Sequence, residues 1–409
     1  MMATVTVSCR PSASGRATDQ RTGPMKILIL GGDGYLGWPT AMNLSAHGHE
    51  VAVLDNYLRR KLATEEESGP LYDLPELAER CRLWQAHSGK EITSYIGDLC
   101  DWDFVAGVFQ TFTPEAVVHY AEQPSAPYSM LRRSAATLTI NNNLLATANT
   151  IFAVRAFCPD AHIVKLGTMG EYGTPNIDIE EGWLDVEHKG RKHKFLYPRQ
   201  AGSLYHTTKV MDTDLLWFYV RMWDLRVTDL MQGPVYGMMT DENEGQPDLY
   251  PHFAYDEIFG TVLNRFVVQA VANYPLTVYG KGGQTRGYLN IKDTLNCIRL
   301  SVETPADAGE LRIFNQFVET FSVNDLAGRV KSAGEQLGLD VEIKSIDNPR
   351  KEMEEHYYNP AHTGLLDLGL EPHFLTEEVL QGIFAVVLQH KDRISDDCIF
   401  RGVKWSRTG

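Results

Sequence analysis

The chain has 409 residues, 43% hydrophobic and 22% charged, an ordinary globular composition long enough for two or three domains and a large core. The formal net charge of −15 speaks against a nucleic-acid partner or an anionic membrane surface, and no run approaches the roughly 20 apolar residues that span a bilayer. Six scattered cysteines (Cys9, Cys81, Cys100, Cys158, Cys297, Cys398) form no Cys-x-x-Cys pair, so neither a metal site nor a disulfide framework is implied. Each is expected as a small apolar core residue in a reducing compartment.

Residues 1–24 are rich in Ser, Thr, Arg and Gly and read as a disordered extension, not a secretory signal. The expected location is cytoplasmic, or the plastid stroma if this basic, acid-poor tail is a transit peptide. Lys26-Ile27-Leu28-Ile29-Leu30 is a continuous aliphatic run, as in a parallel strand buried on both faces. A glycine-rich turn follows, then a helical stretch from Pro39 to His47. Val51 to Leu54 makes a second strand, ending at Asp55. Tyr95 to Asp98, Ala116 to His119 and His162 to Leu166 read as further short strands separated by helical spacers. Such alternation predicts an α/β fold with a doubly wound parallel sheet. After Tyr236-Gly237 the pattern loosens into helices and short strands interrupted by polar, Pro-containing stretches such as Asp241 to Pro251. We expect a Rossmann-type nucleotide-binding domain over 25–235 and a smaller substrate-binding region over 236–409, with some segments returning to the core.

The turn Gly31-Gly32-Asp33-Gly34-Tyr35-Leu36-Gly37 lies between the first strand and the first helix. Gly31, Gly34 and Gly37 allow a tight turn, backbone approach to a pyrophosphate, and close helix–strand packing. The helix N-terminus then offers N–H groups to the phosphates. Asp55, at the end of the second strand, is placed to accept the adenosine ribose hydroxyls. Tyr35, Leu36 and Asn56 complete the expected cofactor contacts. An acid at 55 favours NAD over NADP, although Arg59 and Arg60 stand nearby. Asp98 is either an adenine contact or a helix N-cap.

Tyr205-His206-Thr207-Thr208-Lys209 sets a tyrosine and a lysine one helical turn apart. A cation beside a phenol favours the phenolate, so Lys209 is expected to lower the pKa of Tyr205 and to hold the nicotinamide ribose. Thr168, at the C-terminal end of a predicted strand, can hydrogen-bond the reacting hydroxyl.

Glycine turn, threonine, tyrosine and lysine together resemble the extended short-chain dehydrogenase/reductase superfamily from about Met25 to Trp405. Longer runs resemble the UDP-sulfoquinovose synthase family within it: Gly31 to Tyr35, Ser125 to Met130, Lys165 to Gly182, Leu276 to Tyr288, and Asn348 to Arg350 with Glu355 to Asn359. The resemblance implies bound NAD with UDP-glucose and sulfite as substrates. It implies oxidation at C4, loss of the C5 proton and C6 hydroxyl, sulfite addition at C6, and reduction at C4. Sugar-nucleotide dehydratases carry Asp-Glu after the threonine, where this chain has Met169-Gly170. His206 is therefore the first candidate for proton transfer at C5 or C6 and Glu171 the second, while a structural hydrogen bond explains His206 equally well. By the same resemblance Arg286 and Arg350 fit the diphosphate, and Gln123, Gln232, His356 and Tyr357 fit the sugar or nucleotide. Arg265 is a weaker candidate for the diphosphate and is expected instead in a surface ion pair, and Glu352, Glu354 and Glu355 on a solvated acidic face. The family reads Glu-Gln-Arg-Ser-Ala-Pro where this chain has Glu122-Gln123-Pro124-Ser125-Ala126-Pro127, so Pro124 replaces a cation beside the sugar. Another NAD-dependent nucleotide-sugar 4-epimerase or dehydratase, and a non-catalytic NAD-binding sensor, are the alternative readings. The apolar outer face at Leu215, Trp217 and Phe218 suits either a homodimer interface or core packing.

Overall fold

β1 (Lys26–Leu30) is buried on both sides, as its aliphatic run requires. Ile27 and Ile29 enter one apolar cluster and Leu28 and Leu30 another, because side chains alternate across a strand. A computed structural model describes residues 23–348 and 357–400 of the chain. Six other strands join β1: β2 (Glu50–Asp55), β3 (Ile92–Ile96), β4 (Ala116–His119), β5 (His162–Thr168), β6 (Arg226–Gln232) and β7 (Leu311–Gln316). Among the described residues they form one seven-stranded sheet in the order β7-β6-β5-β4-β1-β2-β3, with every pairing parallel.

Helices cover both faces. α1 (Gly37–Ala46), α3 (Leu77–Ser88) and α9 (Ile291–Glu303) share a cluster with Ile27 and Ile29. α4 (Trp102–Phe112), α6 (Arg133–Phe157) and α7 (Leu204–Trp223) share one with Leu28 and Leu30. This is the expected doubly wound architecture. β3 starts and ends earlier than its sequence suggests, at Ile92 and Ile96, and leaves Gly97-Asp98 in a turn. It is the edge strand, so only one side pairs and its polar Thr93-Ser94 gives no aliphatic signal. Cys81, Cys297 and Cys398 are buried in apolar clusters, as expected.

A second core is built from α8 (Val262–Val271), α10 (Val323–Gln336) and the helix Glu377–Gln389, around Phe266, Leu326 and Phe384. It is stitched to the glycine turn by hydrogen bonds from side chains of the first half to backbone carbonyls. Tyr35 Oη donates to Gly237 O (2.5 Å), Trp38 Nε1 to Leu249 O (3.2 Å) and Tyr72 Oη to Pro251 O (2.6 Å). Asp33 anchors the set. It accepts from Arg60 Nε and Nη2, both at 2.6 Å, and from Arg80 Nη1 at 3.2 Å, while Arg80 Nη2 reaches Tyr250 O at 3.1 Å.

Arg80 is fully buried, and the Asp33 carboxylate is its charge partner. Asp33→Asn strands that cation, and breaking a buried pair from one side costs about 3–5 kcal/mol. Urea unfolding should show a loss of that size, with Arg60→Ala costing less because Arg60 is partly exposed.

Candidate functional site

A cavity of about 550 Å³ runs over the C-terminal ends of the strands, where open α/β sheets place ligands. One end is the expected cofactor site. Gly31 has φ +89°, and a Cβ there would meet the Ala121 backbone at 2.9 Å. A Cβ on Gly37 would lie 2.0 Å from Gly31 O, so helix and turn touch only because Gly37 has no side chain. At Gly34 the nearest atom to an ideal Cβ is Gly31 O at 3.4 Å, which leaves this backbone open to a pyrophosphate. Tyr35, Leu36, Asp55, Asn56 and Asp98 stand on the same wall. Asp55 accepts N–H bonds from Asp33 (2.9 Å) and Tyr57 (2.7 Å). Asp98 accepts from Cys100 N, whereas the cap of α4 is Asp101, so the N-cap alternative for Asp98 falls away. Arg60 is spent on Asp33, and Arg59 lies 3.8 Å over the Phe259 ring. These groups fit NAD.

Further along, Thr168 and Tyr205 line the cavity together. Thr168 ends β5 in register with Gln232 of β6, itself in register with Gln316 of β7. Thr168 Oγ1 accepts Gly170 N–H at 3.2 Å, which leaves its own O–H as a donor for a ligand oxygen. Ser203 caps α7 by accepting His206 N–H, fixing the turn that carries Tyr205. Lys209 lies on the buried face of α7, its Nζ 5.9 Å from the Tyr205 ring centroid. It donates to Leu166 O (2.5 Å) and pairs with Glu122 Oε1 at 2.7 Å.

That last contact corrects the electrostatic expectation. Burial, then the Glu122 and Glu171 carboxylates, push the Tyr205 phenol well above its usual range. Lys209 is next to the tyrosine, but its charge is offset by a carboxylate that sequence spacing did not reveal.

Behind α7 lies a solvent-free charge network. Lys165 Nζ donates to Lys209 O (3.1 Å), Thr213 Oγ1 (2.9 Å) and Asp229 Oδ2 (3.4 Å), and lies 3.5 Å from Glu171 Oε1. Burial works against this ammonium, but Asp229 and Glu171 outweigh it and hold its pKa up. Glu171 accepts Thr168 N–H at 3.1 Å and pairs with Arg199 at 3.3 Å. Its carboxylate is fully buried in this network and off the cavity wall, where it braces Thr168 and is not presented to a sugar.

His206 packs its ring on Gly170, where an ideal Cβ would lie 2.4 Å from His206 Nε2. It stands beside Tyr205, with ring centroids 5.2 Å apart, but behind the lining residues. Gln232 and Arg286 line the cavity. Gln123 does not: it is buried, donating to Ser125 O and Thr139 Oγ1 and accepting Ser125 N–H at 2.5 Å. Tyr357 is exposed on Asp178, and its neighbour Tyr358 is the one turned inward, its hydroxyl accepting Gly287 N–H beside Arg286. Arg350 and His356 lie outside the described residues. Arg265, expected on the surface, is buried on the cavity wall and donates to Tyr279 Oη (3.0 Å) and Thr277 O (3.3 Å). Its position in a polar-looking Asn-Arg pair hid this; the nine consecutive buried residues of α8 after Val262 explain it.

Residues 27–315 match the NAD dependent epimerase/dehydratase family. The chloroplastic UDP-sulfoquinovose synthase of Spinacia oleracea is 49% identical over 95% of this chain and 80% of that protein. The UDP-sulfoquinovose synthase of Sulfolobus acidocaldarius is 45% identical over 94% of this chain and 98% of that protein. The chain belongs to the NAD dependent epimerase/dehydratase family, in its UDP-sulfoquinovose synthase branch. A crystal structure of the UDP-glucose 4-epimerase of Bifidobacterium longum in complex with NAD+ and UDP shares the fold. It superposes with a TM-score of 0.68 at 18% identity, covering 90% of this chain and 99% of that one. The cofactor of this family member is NAD, in keeping with the glycine turn and Asp55.

Burial, then the Asp33 carboxylate, pushes the Asp55 pKa up to about 6 from 3.8. Between those values the folded protein keeps a proton that the unfolded chain has lost, so this group lowers stability as pH rises through that window. Asp55→Asn should flatten that part of the ligand-free stability profile. Wild-type NAD affinity, measured by calorimetry, should strengthen as pH rises through about 6 and release a proton, because ribose hydroxyls favour the ionised carboxylate.

Proposed function

We propose that this enzyme converts UDP-glucose and sulfite to UDP-sulfoquinovose in a redox-neutral cycle, and that the residues gathered above carry it out. The observation that carries the reading is His206 on Gly170. Where a dehydratase of this superfamily has an acid–base pair, this chain has the buried Met169 and a glycine whose side-chain space is filled by imidazole.

NAD supplies the hydride acceptor at C4 and, at the end, the donor. Thr168 hydrogen-bonds O4, and the O4 proton passes to Tyr205 as C4 becomes a ketone. The ketone acidifies C5–H. His206, next to Tyr205, takes that proton in its neutral form and returns one to the leaving C6 hydroxyl, so water departs and a 4-keto-5-ene remains. Rotation about χ1 and χ2 of His206 is needed to bring the ring from Gly170 to the sugar. Sulfite adds at C6, C5 takes up a proton, and return of hydride and proton at C4 closes the cycle. Arg286, with Tyr358 beside it, faces the UDP diphosphate. Pro124 is exposed on the cavity wall and offers neither charge nor N–H, so sulfite is met by other groups.

The assembly that fits the surface is a homodimer through α6 and α7. Ile140, Leu145 and Phe152 of α6 and Met211, Phe218 and Met222 of α7 are exposed large hydrophobics, Met222 at 55%. Leu215 and Trp217 pack inward, with Trp217 against Trp183. An apolar stripe on two neighbouring long helices calls for a partner.

Purified protein given UDP-glucose and sulfite should yield a sulfonated UDP-sugar by mass spectrometry and NMR, and Tyr205→Phe should abolish it. Clean conversion to UDP-galactose without sulfite incorporation would replace this reading with the epimerase one. In sedimentation, wild type should run as a dimer and Phe218→Glu as a monomer.

A further inference from the structure

The segment 250–261 contains neither helix nor strand, yet none of its residues is exposed. Buried backbone of this kind needs partners, and its first stretch finds them in the first half of the chain. Arg80 Nη2 donates to Tyr250 O (3.1 Å), Tyr72 Oη to Pro251 O (2.6 Å) and Leu71 N–H to Phe253 O (3.1 Å). Asn264 Nδ2 of α8 then donates to Ala254 O (3.2 Å), and Thr261 caps α8 by accepting Asn264 N–H. Between these anchors the chain folds on itself. Asp256 Oδ1 accepts the N–H groups of Ile258 (2.8 Å) and Phe259 (2.7 Å), and Gly260 N–H donates to Asp256 O (3.0 Å). An ideal Cβ on Gly260 would stand 2.5 Å from Asp256 O, so the turn closes only with glycine at its end.

This turn lines the cavity from Glu257 to Gly260, and it reaches across to residues of the first half in two places. Ser125 Oγ donates to Ile258 O, and the Arg59 guanidinium lies 3.8 Å from the centroid of the Phe259 ring. Tyr128 stacks on the same ring, with centroids 5.7 Å apart. The apolar support is a small cluster, Leu62, Tyr128, Ala135 and Ile258, separate from the large cores.

We infer that the turn 256–260 is a strap that lifts to admit the nucleotide cofactor and closes behind it, with Ser125 on Ile258 and Arg59 on Phe259 as its fastenings. Arg59 and Ser125 are themselves on the cavity wall, so both contacts bridge the cavity at the end that carries Asp55 and Asn56. A dinucleotide reaching that end has to part the bridge or thread beneath it. Parting it is cheap, because one hydrogen bond, one stacked ring and a four-residue cluster hold it, while both ends of the segment stay anchored. The bonds to Asp256 lie within the turn, so it moves as a unit. The Asp256 carboxylate also attracts Arg59, which favours closure. The strap requires only NAD in this cavity and is independent of the sugar chemistry proposed above.

The test is exchange of bound NADH, followed by its fluorescence after the holoenzyme is mixed with excess NAD+, with NADH affinity taken from calorimetry. Ser125→Ala removes one fastening and Phe259→Ala the other, and each should speed NADH release about tenfold, the share of one such contact. Affinity should stay within about threefold of wild type, because easier opening speeds entry as much as exit. Ser125→Thr keeps the hydroxyl and should release NADH as wild type does. Ser125 also caps the helix Ala126–Leu131, so Phe259→Ala, which leaves that cap in place, keeps the test decisive if Ser125→Ala folds poorly. Affinity that falls in step with faster release would make these residues plain cofactor contacts and overturn the strap. A Phe259→Ala release rate equal to that of wild type would overturn it too.

Discussion

The ammonium of Lys165 is the point on which the cavity wall carrying Thr168 and Tyr205 depends. A lysine inside β5, fully removed from water, is tolerable only if its charge is met on every side. It meets α7 through Lys209 O and Thr213 Oγ1, β6 through Asp229, and the turn after β5 through Glu171. These are the elements that carry Lys209, Tyr205, Gln232 and Thr168. The helix bearing the Tyr205 phenol is therefore set against the strand bearing Thr168 by a charge network, in addition to apolar packing. Such a network tolerates little displacement, since loss of any member leaves another charge unpaired at low dielectric. Preorganisation of this kind is what proton transfer between fixed oxygens requires.

The cofactor end is fixed by a different device. The glycine turn itself has little packing, because glycines offer no side chains. Its shape is held instead by Asp33, clamped by Arg60 and Arg80, and by Tyr35 and Trp38 reaching carbonyls of the segment 237–249. Ser125 Oγ donates to Ile258 O, and Arg59 stacks on Phe259, so the segment that follows is drawn onto the same cavity. The cavity at the cofactor end is thus lined by residues from both halves of the chain.

Local sequence was sufficient wherever chemistry is local. The Gly31, Gly34, Gly37 spacing, Asp55 at a strand end, and Tyr205 with Lys209 at one-turn spacing are each contained within a single supersecondary unit; the glycines, Asp55 and Tyr205 stand on the cavity, and Lys209 is buried directly behind it. Where the outcome depended on long-range packing, sequence was silent. Glu122 and Lys209 are far apart in the chain and meet only where α7 packs against the loop after β4. Gln123 reads as a ligand by family position, but the buried Thr139 and the Ser125 backbone saturate it first. Glu171 follows Thr168 by three residues, and its direction is decided by Lys165 and Arg199, both on other elements. Tyr357 and Tyr358 are adjacent and chemically alike; only the approach of Gly287 selects the second. β3 was blurred because an edge strand need not be apolar on both sides.

The loop Glu122–Ser125 shows how a loss can also be a gain. Read as chemistry, Pro124 removes a cation and an N–H from the wall. Read as mechanics, it fixes φ between two residues that are themselves locked: Gln123 by five hydrogen bonds, and Ser125 by capping α5 (Ala126–Leu131) through Tyr128 N–H. Glu122 therefore projects from a segment with almost no freedom, and its carboxylate is held against Lys209 without any bond of its own to a backbone donor. A guanidinium two residues away on the same wall would compete with Lys209 for that carboxylate. Proline leaves Lys209 as the cation paired with that carboxylate among the described residues, so the position of the Lys209 ammonium is fixed from the loop as well as from α7.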